Sequence, residues 1–368
     1  MKKACVISSY AYIDKNINYG ALLQYYALEK ALNQIGVQSY WLRFCLPDTK
    51  KLVYRAKHMI KNIINLPHSI AYCKCLNSFK DFISKYCHES NHIYYSEQEL
   101  KNKCPKADIY ITGSDQVWGG TLSPNYLTYV PDDFPKISYA ASFGKNQISE
   151  EHKNTIRPWL ERFDAISVRE DSGVDICKSM GIDAVQVLDP TLLIDAKEYP
   201  TIDNVDCPDI YGYFLNFDGL DQIYWQEILN YANDNQFRLK VACVNQTFYK
   251  YPKKYRDLPS PEEWLTKYSK AKYIFTNTFH GTVFAIIFHR PFLVIKQKGE
   301  GAKQNGRVAS LLKSLGLEDR YFDDKRSIEE QVNQNIDWGC IDERLRYLRE
   351  SSYGFLYNIS DNIIKADS

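Results

Sequence analysis

The 368-residue sequence has no run approaching the ~18–20 consecutive apolar residues that a membrane-spanning helix needs, so no spanning segment is expected. It has no G-x-G-x-x-G after its first strand-like stretch and no G-x-x-x-x-G-K-[ST], which leaves dinucleotide and Walker-type nucleotide sites unsupported. H-E-x-x-H and G-x-S-x-G are missing too, which counts against metalloprotease and α/β-hydrolase chemistry. There is almost no excess charge: 46 Lys and Arg face 45 Asp and Glu, a net charge of +1, so no global field recruits nucleic acid, and none is expected as a partner. Met1-Lys2-Lys3 leads into "ACVISSY", too short for the apolar core of a secretory signal.

What is present is ordinary globular composition, 45% hydrophobic and 25% charged, in a chain of about two domains' length. The ten cysteines are scattered, which points to free thiols in a reducing cytoplasm. Cys73-Lys74-Cys75 followed by Cys87-His88 is the one metal-like cluster, and its C-x-C spacing fits no usual zinc pattern, so no metal site is expected. The 29 tyrosines suit either sugar-binding surfaces or a filled core, and the core is the simpler home for most of them.

"KACVISSY" (3–10) reads as a buried strand, "ALLQYYALEKALNQIG" as a helix stopped by Gly36, and "VQSYWLRF" as the next strand. Strand, loop, helix, strand is a βαβ unit and argues for a parallel sheet. Residues 50–86 read as a basic helical insert, with Lys50, Lys51, Arg55, Lys57, Lys61, Lys74, Lys80 and Lys85 against Asp81 alone. That segment is either a solvated face or a dock for an anionic membrane surface or a lipid diphosphate. "ADIYITGSDQVWGG", "KISYAASFG", "FDAISVRE" and "AVQVLDPTLLI" (184–194) read as four further strands, several ending in small or charged residues, where ligands sit in open α/β sheets.

The polar stretch 195–210 marks a boundary. Beyond it strands and helices alternate again, including "SPEEWLTKYSKA" with a capping-box pattern at Ser260 and Glu263. The expected organisation is an N-terminal Rossmann-like domain over 1–195, a C-terminal one over 196–345, and a last helix over 346–368 packing back on the first. The fold class is α/β, two Rossmann-like domains facing a cleft.

The densest chemistry lies in "TNTFHGTVFAIIF" (276–288), a polar turn leading into an apolar helix. A helix start offers unpaired N–H groups and partial positive charge, an anion site in waiting. Thr278 and Thr282 add hydroxyl donors, Gly281 would let a ligand approach, and His280 sits at the mouth. In "ITGSDQVW", Asp115 after Ser114 is a candidate base or simply a helix cap. In "SVRE", Arg169 is a candidate carboxylate or phosphate clamp, or an ion-pair partner of Glu170. Arg307 is a further candidate anion contact, preceded by the basic loop of Lys296, Lys298 and Lys303.

Six stretches in order, "NYGALLQYYAL", "ITGSDQVW", "SYAASFG", "SVRE", "VLDPTLL" and "TNTFHGTVFAIIFHRPF", resemble the polysaccharide pyruvyl transferase family over positions 5 to 317. The resemblance implies a glycosyltransferase-B-like fold with a C-terminal helix crossing back. It also implies transfer of a pyruvyl group from phosphoenolpyruvate to two sugar hydroxyls in capsular or exopolysaccharide synthesis, with no cofactor or metal. His280 then matches the catalytic histidine and Arg169 an arginine that holds phosphoenolpyruvate. Thr278, Phe279, Gly281, Thr282 and Arg307 fall on the donor side, and Asn18, Tyr19, Gly20, Ser114 and Asp115 on the acceptor side. Thr278 stands where several members carry an arginine. The expected acceptor is a lipid-diphosphate-linked sugar, with the protein cytoplasmic or peripheral at the inner membrane face. The competing readings are a glycosyltransferase of the same fold using a nucleotide-sugar, and a non-catalytic binding protein of the capsule machinery.

Overall fold

The computed structural model describes residues 2–9, 17–45, 66–244 and 247–365. Lys50, Lys51, Arg55, Lys57 and Lys61 of the basic segment lie outside the described residues.

Seven parallel strands form the first sheet: β1 (Lys2–Ile7), β2 (Val37–Phe44), β3 (Glu89–Tyr94), β4 (Ile109–Thr112), β5 (Lys136–Ala141), β6 (Ala165–Val168) and β7 (Val185–Gln186). Their spatial order is β3-β2-β1-β4-β5-β6-β7. Five more parallel strands form the second sheet in the order β10-β9-β8-β11-β12: β8 (Ile210–Tyr213), β9 (Leu239–Ala242), β10 (Arg256–Asp257), β11 (Tyr273–Thr276) and β12 (Phe292–Val294). Strands covered on both faces carry continuous apolar runs, and every residue of β4, β5, β8 and β11 is buried. In both sheets the strand order reverses beside the central strand, which opens a crevice at the carboxyl ends.

"AVQVLDPTLLI" departs from expectation. Only Val185–Gln186 is strand, and Pro190–Leu192 forms a 3₁₀ turn capped by Asp189, whose side chain accepts from the Thr191 N–H. Proline sets φ for a turn and has no N–H to give a sheet, so the chain leaves the sheet there. The Ser260–Glu263 capping box is present, starting helix Pro261–Lys270.

The helix Tyr19–Gln34 lies between the domains. Tyr19 is fully buried, stacks on Trp264 of the second domain at 5.0 Å and donates its hydroxyl to the Pro259 carbonyl at 2.9 Å. Aromatic pairs of this kind add about 0.5–1.5 kcal/mol beyond area burial. One hydrophobic core, holding Leu22, Tyr26, Trp264 and Phe284 together, therefore runs through both domains. The final helix, Trp338–Lys365, returns to the first domain. Ser352 accepts from the Leu188 N–H at 3.0 Å, and Arg349 pairs with Asp195 at 3.0 Å. No helix among the described residues is long and apolar enough to cross a membrane.

Candidate functional site

The carboxyl ends of β1, β4 and β5 face those of β8, β9, β11 and β12 across a cavity of about 590 Å³. That size is typical of small-molecule sites. Asn18, Asp115, Gln116 and Lys145 contribute from the first domain, and Thr278, Phe279, His280, Gln297, Gln304 and Arg307 from the second.

β11 ends at Thr276, and Thr278 caps the helix Phe279–Ile287 by accepting from the Gly281 N–H at 2.9 Å. The helix is buried throughout. Its first N–H groups, of Phe279 and His280, fall outside the intrahelical ladder by position. The Thr278 hydroxyl is committed to the cap and to Thr276, 3.0 Å away. Gly281 does not admit a ligand. A Cβ there would stand 2.2 Å from Thr276 Oγ1 and 2.6 Å from Thr278 Oγ1, so glycine is required by the hydroxyl pair beside it. Thr282 is fully buried and donates to the Thr278 carbonyl at 2.9 Å, so its hydroxyl is no ligand donor either.

His280 borders the cavity with its side chain 10% exposed. Its Nε2 is enclosed and 3.7 Å from Asp189 Oδ2, beyond hydrogen-bond length but within ion-pair range. Its Nδ1 lies against Gly20, where a Cβ would come within 2.1 Å.

Arg169 does not line this cavity. Its side chain is 1% exposed, and it pairs through Nε with Glu170 at 3.0 Å and through Nη1 with Asp189 at 2.8 Å. The guanidinium also lies 4.3 Å from the centre of the Phe279 ring. Burial opposes its charge, yet Glu170, Asp189 and Asp115 raise its pKa above the ordinary arginine value. The expected donor clamp is thus a buried strut, because two carboxylates of its own domain reach it first. Ser114 is fully buried and donates to Asp189 at 3.0 Å, and Tyr19 is sealed in the core, so neither reaches an acceptor.

The cation that reaches the cavity from the second domain is Arg307. It donates to Gln304 Oε1 at 2.8 Å, and Gln116, with its amide oxygen turned inward, accepts from Nη1 at 3.1 Å and Nη2 at 3.2 Å. Its Nε is buried without a partner among the described residues, where no carboxylate lies within ion-pair range of the guanidinium. Burial, with help from the nearby Arg169 charge, pushes its pKa down to about 10, so it remains a cation at neutral pH. A buried cation held by neutral amides is set to receive an anion. Lys145 Nζ, held by the Gly119 carbonyl at 3.2 Å, adds a second positive group at the rim. Lys296 and Lys298 lie over the rings of Tyr321 and Tyr224 instead.

Asp115 borders the cavity with a backbone φ of +78°, a left-handed conformation that costs energy in a residue other than glycine. Its carbonyl accepts from Val117 and Ser142, which fixes the loop, and no hydrogen bond occupies its carboxylate among the described residues. Asn18 borders the cavity while its Oδ1 caps the first helix through the Ala21 N–H at 3.1 Å. The residues that sequence reasoning left without a role are Asp189, Gln116 and Lys145. The signal for Asp189 was an acid directly before proline at a strand end; nothing local marks the other two. Among the described residues no group of three His, Cys, Asp or Glu is placed to hold a metal ion.

A family model described as polysaccharide pyruvyl transferase matches residues 18–298. No curated protein matches the chain in sequence. Among solved structures, the S. aureus MnaA–UDP co-structure is similar at 13% identity and TM-score 0.53, covering 95% of this chain and 91% of that one. UDP-GlcNAc 2-epimerase from Methanocaldococcus jannaschii is similar at 12% identity and TM-score 0.52, covering 96% and 100%. These likenesses concern the fold alone: two Rossmann-like domains around a cleft, glycosyltransferase-B-like, with the last helix crossing back.

Proposed function

The chain belongs to the polysaccharide pyruvyl transferase family, and from that premise we propose that it moves the pyruvyl group of phosphoenolpyruvate onto two hydroxyls of a sugar, closing a cyclic ketal and releasing phosphate. The observation that carries this reading is that His280 and Arg307 line one cavity: a group able to transfer protons and a buried cation with no carboxylate in ion-pair range among the described residues.

Phosphoenolpyruvate brings a carboxylate and a phosphate. Arg307, Lys145 and the free N–H groups at the start of helix Phe279–Ile287 meet that charge. The reaction begins with proton delivery to the methylene carbon, which turns it into a methyl group and leaves the adjacent carbon electron-poor. One sugar hydroxyl adds to that carbon and gives up its proton. The carbon–oxygen bond to phosphate breaks, the second hydroxyl adds and loses its proton, and the ring closes. One proton is consumed at carbon and two are released, one of them leaving on hydrogen phosphate. An imidazole can give and take these protons in turn, which is the role of His280. Asp115 and Asn18, which line the cavity from the first domain, are the residues this reading assigns to the sugar.

The acceptor we favour is a lipid-diphosphate-linked precursor of a capsular or exopolysaccharide, in keeping with the run of lysine and arginine at 50–85. The competing reading, sugar transfer from a nucleotide-sugar, draws on the solved relatives, one of which is a UDP co-structure. Thermal-shift titration separates the two. Phosphoenolpyruvate is expected to raise Tm and UDP-sugars to leave it unchanged; stabilisation by UDP-sugars alone would favour the competitor.

A further inference from the structure

Asp189 joins the first domain to the histidine of the second. It follows β7, and His280 follows β11. The carboxylate is 0% exposed in its side chain and held at both oxygens. Thr191 donates to Oδ1 from its backbone N–H at 3.0 Å and from its hydroxyl at 2.5 Å. Ser114 Oγ and Arg169 Nη1 donate to Oδ2 at 3.0 and 2.8 Å. The remaining open side of Oδ2 faces His280 Nε2 at 3.7 Å. That nitrogen is buried and has no hydrogen-bond partner among the described residues.

A buried Nε2 beside a fixed carboxylate has one low-energy arrangement in the neutral ring: the proton sits on Nε2, pointing at Asp189. Nδ1 then carries the lone pair. It lies beside Gly20, whose lack of a Cβ leaves the ring its place. The other charged groups around the ring are Arg307 and Asp115 on the cavity wall and the Arg169–Glu170 pair behind Asp189.

We propose that Asp189 is a positioning residue that holds His280 by Nε2 across the domain boundary, so that Nδ1 exchanges protons with substrate. This rests on the pyruvyl-transfer reading for the identity of the substrate, but not for the orientation of the ring. Arg169 and Ser114 act one step further back, by fixing Asp189. The site is complete only when the two domains meet as they do here, because the histidine and its orienting carboxylate come from different sheets. Burial on its own would raise the pKa of Asp189, but His280, Arg169 and Thr191 together outweigh it and hold the carboxyl well below the usual range. The carboxylate is therefore an anion at neutral pH.

The test has two arms. The first uses the wild-type protein and no substrate: ¹⁵N-histidine NMR, with the His280 signals assigned by their loss in His280→Gln. A neutral ring protonated on Nε2 is expected, and a ring protonated on Nδ1 with a bare Nε2 would overturn the proposal. The second arm compares Asp189→Asn with wild type. The isosteric amide can keep its oxygen on the Thr191 donors, while its NH2 takes the place of Oδ2, so that Ser114 turns to accept and Arg169 Nη1 and His280 Nε2 lose their acceptor. A kcat loss of at least about 10²-fold is expected, with KM for phosphoenolpyruvate within about threefold and an altered pH profile; a carboxylate-to-amide change behind a catalytic histidine can cause such a loss through the tautomer alone. A loss confined to KM, or kcat within twofold of wild type, would overturn it. If the NMR arm succeeds and no pyruvyl transfer is found, the activity reading fails while the orientation stands.

Discussion

Gly20 and His280 are fitted to each other across the domain boundary: a Cβ on Gly20 would stand 2.1 Å from Nδ1 of His280 and 2.5 Å from its Cγ. The start of the first helix and the imidazole of the opposite domain leave no room for even a methyl group. Gly20→Ala must push the ring aside. The expected result is a fall in turnover of at least about tenfold, with a stability loss of about 1–3 kcal/mol, the usual range for over-packing. Steady-state kinetics and a denaturant titration measure the two together; unchanged turnover would mean the ring has other room to stand.

His280→Ala removes the group proposed to transfer protons, along with its edge contact to Phe279 and its 3.7 Å approach to Asp189. Phosphate release from phosphoenolpyruvate in the presence of acceptor should fall by on the order of 10²–10⁴-fold. Tm should stay within a few degrees of wild type, because the helix behind the histidine is anchored by its apolar residues and by the Thr278 cap.

Arg307→Ala takes away a buried cation that burial already disfavours. Stability should hold or rise slightly, while KM for phosphoenolpyruvate rises by at least about tenfold, the scale of one charge-assisted contact. The pKa of Arg307 is depressed, so at very alkaline pH the folded state loses the proton before the unfolded chain does. Donor affinity should therefore decline as pH climbs past about 10, and the burial penalty is relieved over the same range. Titration calorimetry as a function of pH checks the direction.

Thr278→Ala removes the helix cap and should cost about 1 kcal/mol, recovered by Thr278→Ser, which keeps the hydroxyl. Thermal unfolding of the three proteins is the measurement. A destabilised alanine variant that serine does not restore would show that the methyl group, not the hydroxyl, matters here.

Much of the architecture was legible in the chain. β11 falls within "KYIFTNT", because a strand of a parallel sheet covered on both faces is apolar along its whole length, and β2 falls on "VQSYWLRF", apolar apart from Gln38, Ser39 and Arg43. Helix Tyr19–Gln34 was visible from its period and from Gly36 beyond its end. β3, "ESNHIY", was not, since it is an edge strand with four polar residues, two of them exposed. The strand read over 184–194 failed beyond Gln186 because Pro190 cannot donate to a ladder.

The cavity was legible in its lining histidine but not in the groups around it. A polar turn before an apolar helix marks the end of β11 in any such sheet, so His280 and Thr278 could be singled out from sequence. Arg169 and Arg307 were both candidate anion contacts, the first with an ion pair to Glu170 as its alternative. What separates them is tertiary: Glu170 and Asp189 neutralise the first, while only the amides of Gln116 and Gln304 surround the second. Tyr19 and Ser114 sit next to residues that do border the cavity, yet alternate positions along a turn face opposite ways. One faces Trp264 and the other Asp189.

The central claim is transfer of a pyruvyl group, and mass spectrometry of candidate lipid-linked glycans incubated with the protein and ¹³C-labelled phosphoenolpyruvate tests it most directly. The account predicts glycans heavier by one labelled pyruvyl ketal, formed with wild type and not with His280→Ala. Glycans that stay unlabelled but gain a hexose when a nucleotide-sugar is supplied would contradict it.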